Sequence, residues 1–208
     1  MRGITVTGWR AALNAGARRL PTGVIYGAGL LPVPTLLINA QSGALGPEPI
    51  KALEHALGTY ALQFLIAGLL ITPLRRWAGV SLLKFRRALG LLAFAYVCLH
   101  LLVWLVLDIG SLGRIGADIV KRPYITVGML GFVLLVPLAV TSNRWALRRL
   151  GGLWHKLHRL AYAVIALAGL HYLMIQKVYD VQALIYAGLV VFVLALRLPQ
   201  LVRAGKPG

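Results

Sequence analysis

The chain has 208 residues, of which 59% are apolar and only 13% are charged, and its mean hydropathy is +0.79. Soluble domains usually carry about 25% charged residues, so this composition excludes a disordered chain and argues against a water-soluble enzyme. The net charge of +17 arises from 22 Lys and Arg against 5 Asp and Glu. Because these basic residues flank apolar stretches, they indicate membrane topology rather than nucleic-acid binding. The single cysteine, Cys98, excludes a disulfide framework and a thiolate-based zinc or iron–sulfur site. We therefore predict an all-α integral membrane protein.

Six apolar runs along the chain are candidates to cross a bilayer core of about 30 Å as helices. All are free of charge except the fifth, whose inner end carries Arg159, a side chain that can snorkel to the interface. In order, they lie within 20–47, 55–74, 88–107, 123–143, 157–176 and 181–196. The first is too long for one straight helix and is interrupted by Pro32 and Pro34. These prolines also disfavour the alternative of a signal peptide cleaved after Ala40. Since the links are short, we predict a single transmembrane domain over 1–208, built as a six-helix bundle.

The charges divide unequally between the two ends of the predicted helices. One end holds 17 of the 22 basic residues, and the other holds 5 of them together with all five acids. Those acids are Glu48, Glu54, Asp108, Asp118 and Asp180. The positive-inside rule then places both termini in the cytoplasm and the 41–54, 108–122 and 177–180 loops outside.

Two of the five histidines lie deep in apolar runs, where an ionisable residue is costly and indicates function. His100 lies 13 residues beyond Arg87, about 20 Å along a helix, and His171 lies 12 residues beyond Arg159, about 18 Å. Their helices point the same way, so the two imidazoles lie at nearly one depth. Two facing imidazoles in an apolar bundle suit axial ligation of a haem iron. The alternatives are histidines bonded to polar groups of neighbouring helices, and zinc, for which no third ligand lies at that depth.

A second group, His155 and His158, lies at the basic end of the fifth run. Trp154 and the neighbouring basic residues explain His155 as an interfacial anchor. His158 lies 13 residues before His171, about 20 Å lower, a spacing that suits a second cofactor. On an ideal helix these two side chains point about 140° apart, so we expect a local distortion of the helix, with Gly169 as a place for it.

Four segments resemble known proteins. RRALGL at 86–91, continuing to His100, and LHRLAY at 157–162, continuing to His171, resemble the ferric-reductase-like transmembrane domain. DIVKRPYIT at 118–126 and PLAVTS at 137–142 narrow the resemblance to the bacterial MsrQ (YedZ) family. The resemblance covers about residues 59–177. It implies a ferric-reductase-like, haem-binding core over about 55–180.

The resemblance implies an electron-transfer subunit of the bacterial cell inner membrane that is not catalytic alone. Such a subunit takes electrons from the respiratory quinone pool and passes them through one or two b-type haems. The acceptor is a periplasmic, molybdenum-containing methionine sulfoxide reductase, which repairs oxidised periplasmic proteins. FMN is a further cofactor that the family implies.

By position, the resemblance makes His100, His158 and His171 the haem histidines. The place 13 residues before His100, where two-haem relatives carry a paired ligand, is occupied by Arg87. For a second haem, the alternatives are Arg87 beside a propionate or His155 as a substitute ligand. A quinone or flavin site near His158, Arg87 and Trp154 rests on the resemblance together with the local charge.

Two other classes of function compete with this one. A self-contained ferric reductase is disfavoured, because only 12 residues follow Leu196 and the chain has no nucleotide-binding motif. A transporter or proton channel that uses intramembrane histidines as a relay, without haem, is the alternative that the residues leave open.

Overall fold

The computed structural model describes residues 6–109, 112–176 and 181–197, and within them the chain forms helices and turns with no strand. The first four helices are α1 (Val6–Arg19), α2 (Thr22–Leu30), α3 (Pro32–Gln41) and α4 (Pro49–Pro73). The next three are α5 (Arg86–Val103), α6 (Leu112–Lys121) and α7 (Pro123–Val140). The last four are α8 (Arg144–Leu150), α9 (Gly152–Leu157), α10 (Leu160–Ile175) and α11 (Val181–Ala195).

Five helical segments are long and apolar enough to cross a membrane. They are Thr22–Gln41, Pro49–Ala78, Leu83–Ile109, Pro123–Val140 and Gly152–Ile175. These segments coincide with the first five predicted runs, which confirms an all-helical, multi-pass membrane protein. The sixth run forms α11, which has 15 residues and is shorter than the roughly 20 that a bilayer core requires. Six spans with cytoplasmic termini therefore stay a prediction.

The prolines of the first run act as predicted. α2 ends at Leu30, and α3 begins at Pro32, so that Pro32 occupies a first-turn position where its missing N–H costs nothing. The interruption is local, because Leu31 keeps helical dihedral angles and its N–H bonds to the carbonyl of Gly27. The two helices together form the single 20-residue span Thr22–Gln41, and the last part of the run, 42–47, lies in a turn.

Two helical hairpins position the functional side chains. α4 packs on α5 and α7 packs on α10, and these two pairs have the most extensive helix contacts in the described chain. We call one end of the bundle the acidic end, defined by Glu48, Glu54, Asp108 and Asp118. The other is the basic end, defined by Arg75, Arg76, Lys84, Arg86, Arg87, Arg144, Arg148, Arg149, Lys156 and Arg159. α4 and α7 run from the acidic end to the basic end, and α5 and α10 run back.

The fifth span is distorted, although not where the sequence suggested. His158 and Arg159 form a turn between α9 and α10, so the helical break falls at His158 itself. Gly169 instead lies inside α10 against Val190 of α11, where an added Cβ would meet that side chain at 3.0 Å. The expectation of a distortion near Gly169 is therefore wrong in position, because Gly169 serves close helix packing.

α6 occupies part of the segment that the charge pattern assigned to a loop. Its residues Ile115 and Ile119, one turn apart, pack against Trp104 and Ile125. This contact covers the acidic end of the hairpins, close to the site described next.

Candidate functional site

His100 on α5 and His171 on α10 lie side by side between the two hairpins. Their ring centroids are 6.2 Å apart, and the ring planes are inclined by 83°. The depth count from Arg87 and Arg159 predicted imidazoles at one level, and the structure brings them into contact distance across the bundle.

Each ring is held by a backbone carbonyl of the neighbouring helix. Nδ1 of His100 lies 2.9 Å from the carbonyl oxygen of Glu54 on α4, and Nδ1 of His171 lies 2.6 Å from that of Tyr124 on α7. A carbonyl oxygen can only accept, so each Nδ1–H donates, and Nε2 keeps its lone pair. This is the arrangement in which histidine binds a metal, with the second nitrogen fixed by a hydrogen bond.

The spacing of the rings fits two ligands of one metal ion. A bond between a metal and an imidazole nitrogen is about 2 Å, and the nitrogen lies about 1.1 Å from the ring centroid for ring bonds of ordinary length. Two imidazoles on opposite sides of one ion therefore have centroids about 6 Å apart, close to the observed 6.2 Å. No group of three or more His, Cys, Asp or Glu side chains in the described ranges could hold a metal by itself. The pair therefore suits an iron whose other ligands come from a porphyrin.

A cavity of about 420 Å³ surrounds the two rings, within the range of cofactor and ligand sites. Its walls within the membrane are mostly apolar and include Leu62, Val97, Leu101, Phe132, Leu135 and Val164. Its polar lining lies toward the acidic end and includes Lys51, Glu54, Asp108 and Arg122. The apolar wall around the imidazoles fits a flat apolar macrocycle, and Lys51 and Arg122 at the mouth are basic groups of the kind that pair with carboxylates.

A glycine lies against each histidine ring. A Cβ added to Gly58 on α4 would lie 3.3 Å from Nδ1 of His100, and one added to Gly128 on α7 would lie 2.8 Å from Nδ1 of His171. Gly128 and Gly131 lie in the fourth apolar run, where small residues are typical of close helix packing, whereas nothing in the sequence distinguishes Gly58. Both glycines leave room for an imidazole against the helix backbone.

Comparison with known proteins agrees with this architecture. Residues 55–169 match the family described as ferric reductase like transmembrane component. Three relatives, from Brucella ovis, Brucella canis and Brucella suis, are each called protein-methionine-sulfoxide reductase heme-binding subunit MsrQ. Each is 46% identical over 186 residues, which cover 88% of this chain and 84% of the relative. The chain belongs to the MsrQ family. It is therefore a multi-pass bacterial membrane protein.

His158 of this MsrQ family member lies apart from the cavity around His100 and His171. Its ring stacks on Trp154, with centroids 3.7 Å apart and planes inclined by 21°. Its Nδ1 lies 3.1 Å from the carbonyl oxygen of Trp154, and its Nε2 is buried without a hydrogen-bond partner in the described structure. Trp154 is itself fixed, because its indole N–H donates to the carbonyl oxygen of Thr141. His158 thus has a free ring nitrogen, but nothing brings that nitrogen to the pair.

The other predicted site residues of this MsrQ chain lie at the surface. Arg87 is exposed and does not line the cavity. The arginine close enough to act electrostatically on His158 is Arg86. His155 is exposed, with its ring edge against Trp154 at a centroid distance of 5.2 Å, which agrees with an interfacial position.

Proposed function

We propose that this chain is the haem-carrying electron-transfer subunit of a methionine sulfoxide reductase system. The observation that carries the proposal is the pair His100 and His171, with Nδ1 of each ring bound to a carbonyl and the ring centroids 6.2 Å apart in an apolar cavity. The name of the Brucella relatives, a heme-binding subunit of a protein-methionine-sulfoxide reductase, supports both the cofactor and the system.

In this proposal, His100 and His171 would hold the iron of one haem b through their Nε2 atoms. The carbonyls of Glu54 and Tyr124 fix the rings and make both imidazoles more basic as ligands. A bound haem would supply one-electron transfer, at a potential that would depend on the imidazoles and the apolar wall. Phe132 and Val164, in that wall, keep water away from the imidazoles.

We further propose that electrons enter at the basic end and leave at the acidic end. The donor is the respiratory quinone pool, and the acceptor is a periplasmic, molybdenum-containing methionine sulfoxide reductase subunit that repairs oxidised proteins. The charge distribution supports this direction, because the positive-inside rule places the acidic end in the periplasm. The cavity also has its charged lining at that end, beside Asp108 and Arg122.

The second cofactor region that we propose lies around His158. Its buried, unpartnered Nε2 and the face of Trp154 provide a hydrogen-bonding nitrogen beside an aromatic surface. Such a pair suits a quinone or the FMN ring, or a second haem with His158 as one ligand. Arg86 is the nearer basic group for an anionic substituent, and the predicted contribution of Arg87 would require its exposed side chain to turn inward.

Single histidine substitutions test the proposal. We expect His100→Ala and His171→Ala each to abolish the same component of the reduced-minus-oxidised spectrum and to lower the haem content per chain. His158→Ala should spare that component, because its ring does not reach the cavity, and should remove a second haem or slow reduction by quinol. The measurement is the spectrum of each purified variant with a pyridine haemochrome assay. His155→Ala, an exposed histidine at the basic end that does not line the cavity, is the control and should retain the spectral component assigned to His100 and His171.

Two outcomes contradict the proposal in different ways. Protein that is colourless after haem-supplemented expression would favour a histidine relay in a transporter or proton channel. If His158→Ala removed the same haem as His171→Ala while His100→Ala did not, the pairing of His100 with His171 would be wrong.

A further inference from the structure

The two histidines are held by the same local arrangement. On α4, the carbonyl of Glu54 receives Nδ1–H of His100, and Gly58 follows four residues later. On α7, the carbonyl of Tyr124 receives Nδ1–H of His171, and Gly128 follows four residues later. In an α-helix the N–H of residue i+4 also donates to carbonyl i. Each carbonyl therefore serves two donors, the glycine amide and the imidazole, at the point where the glycine leaves space.

The spacing along the chain repeats as well. The separation is 46 residues from Glu54 to His100 and 47 from Tyr124 to His171. In both hairpins, the carbonyl and glycine lie on the helix that leaves the acidic end, and the histidine lies on the helix that returns. The hairpins α4–α5 and α7–α10 thus present equivalent imidazoles to one shared cavity.

We propose that Gly58 and Gly128 are positioning residues that set the two imidazoles for a shared metal. This inference rests on the proposed function, since the group held between the rings is the haem. At each glycine, the three atoms nearest to an added Cβ all belong to the imidazole, so the glycine acts through the ring that it positions. A side chain at either position would move a ring off its carbonyl and turn Nε2 away from the cavity centre.

The structure predicts that the two positions differ in sensitivity. A Cβ at 128 would lie 2.8 Å from both Nδ1 and Cε1 of His171, closer than real Cβ atoms approach any neighbour. That ring is bound to Tyr124 at 2.6 Å, so it cannot yield without loss of the hydrogen bond. A Cβ at 58 would lie 3.3 Å from Nδ1 of His100, so a displacement of a few tenths of an ångström suffices there.

Matched glycine-to-alanine substitutions in the full-length protein test the inference. Gly128→Ala is compared with Gly90→Ala, a helix-interior glycine of α5 that does not line the cavity and has nothing within 4 Å of an added Cβ. Gly58→Ala is compared with Gly68→Ala, where it meets Leu89 at 3.7 Å. All four changes replace a helix-interior glycine with the best helix former, so their effect on helix propensity is similar.

The measurements are haem per chain, the fraction of reduced haem that binds carbon monoxide, and the midpoint potential. Carbon monoxide reports a lost axial ligand, because it needs a free coordination position. For Gly128→Ala, we expect most of the remaining haem to bind carbon monoxide and the midpoint potential to rise, since a ring without its carbonyl partner is a less basic ligand. Gly58→Ala should shift both readouts in the same direction by less, and both controls should match the wild type.

The proposal is overturned if Gly128→Ala keeps the wild-type haem content, carbon monoxide binding and potential. It is also overturned if Gly90→Ala and Gly68→Ala change these readouts as much as their partners do. If circular dichroism shows that Gly128→Ala does not accumulate as folded protein, the milder Gly58→Ala variant is used as the test. The proposal is then rejected if Gly58→Ala and Gly68→Ala have the same haem content, carbon monoxide binding and midpoint potential. A wild-type protein without haem is a distinct result, which removes the proposed function itself.

Discussion

Arg197 is a charged side chain that the fold buries almost completely. It follows α11 and is only 2% exposed, although it belongs to the basic residues that flank the apolar runs. Its guanidinium donates to the carbonyl oxygen of Leu69 at 2.6 Å and lies over the ring of Tyr162 at 5.9 Å. Leu69 precedes Pro73 by four residues, and proline has no N–H to complete the helical hydrogen bond. Arg197 therefore supplies the donor that Pro73 lacks and ties the end of α11 to α4.

This explanation predicts coupling between Arg197 and Pro73. Arg197→Met should lower the free energy of unfolding by about 1–3 kcal/mol, the cost of a buried carbonyl left without its donor. In a Pro73→Ala background the same substitution should cost clearly less, because the amide of residue 73 can then donate to Leu69. The measurement is a double-mutant cycle of unfolding in mixed micelles. Additive effects of the two changes would show that Arg197 stabilises the bundle in another way.

At the scale of helices, the features that depend on composition could be predicted from the sequence, whereas those that depend on backbone geometry could not. The five long spans follow from uncharged runs, because burial of charge in lipid is costly wherever it occurs. The depth of His100 and His171 follows equally, from a fixed rise per residue. α1, α6 and α8 were missed, because short helices that carry charges give no such run. Gly58 was missed because its partner is a backbone carbonyl, which every residue possesses.

The break at His158 also had no signal in the sequence. Neither glycine nor proline marks the turn between α9 and α10, and the flanking residues fit a continuous helix. On an ideal helix, the side chains of His158 and His171 point about 140° apart. This angle indicated that the helix is distorted but not where the distortion lies. The structure locates it where Trp154 stacks on His158 and bonds to Thr141.

α6 and the start of α7 form the surface at which we expect the soluble partner to dock. Lys121 and Arg122 are exposed there beside the charged mouth of the cavity. A hydrogen bond donated to the Tyr124 hydroxyl raises the pKa of Arg122, a side chain that carries its charge at physiological pH in any case. Its guanidinium also lies 3.5 Å from Asp118, which fixes the direction of the side chain.

Charge reversal at this surface should slow electron delivery. With Lys121 and Arg122 both changed to Glu, we expect the rate to the periplasmic reductase to fall by about tenfold or more at low salt, because charge steers association. The difference should shrink at high salt, where exposed charges are screened. Arg148→Glu with Arg149→Glu, an exposed pair at the basic end, is the matched control. Equal rates for both double variants, with haem content intact, would move the docking site elsewhere.

At the scale of the whole molecule, the candidate site belongs to neither hairpin alone. α4–α5 contributes His100 with its carbonyl, α7–α10 contributes His171 with its own, and the cavity lies between them. One hairpin offers a single imidazole, so under the proposed function both hairpins would be needed to hold the haem iron. Cofactor binding should therefore favour the docking of the two hairpins, and the placement of the pair toward the acidic end would set which side of the membrane the cofactor is near.

The orientation of the bundle in the membrane is a prediction. It rests on the 17 basic residues at one end, against 5 basic residues and all five acids at the other. A reporter inserted at Gly113 in α6 should be active only as a periplasmic type. Reporters fused after Gly208, or inserted at Gly151 in the exposed turn between α8 and α9, should be active only as cytoplasmic types. Gly151 provides the matched internal insertion, since it tests the basic end without depending on the end of the chain. The reverse pattern would turn the charged mouth of the cavity toward the cytoplasm. An acceptor in the periplasm would then be separated from His100 and His171 by the longer part of the bundle, and the proposed direction of electron flow would not hold.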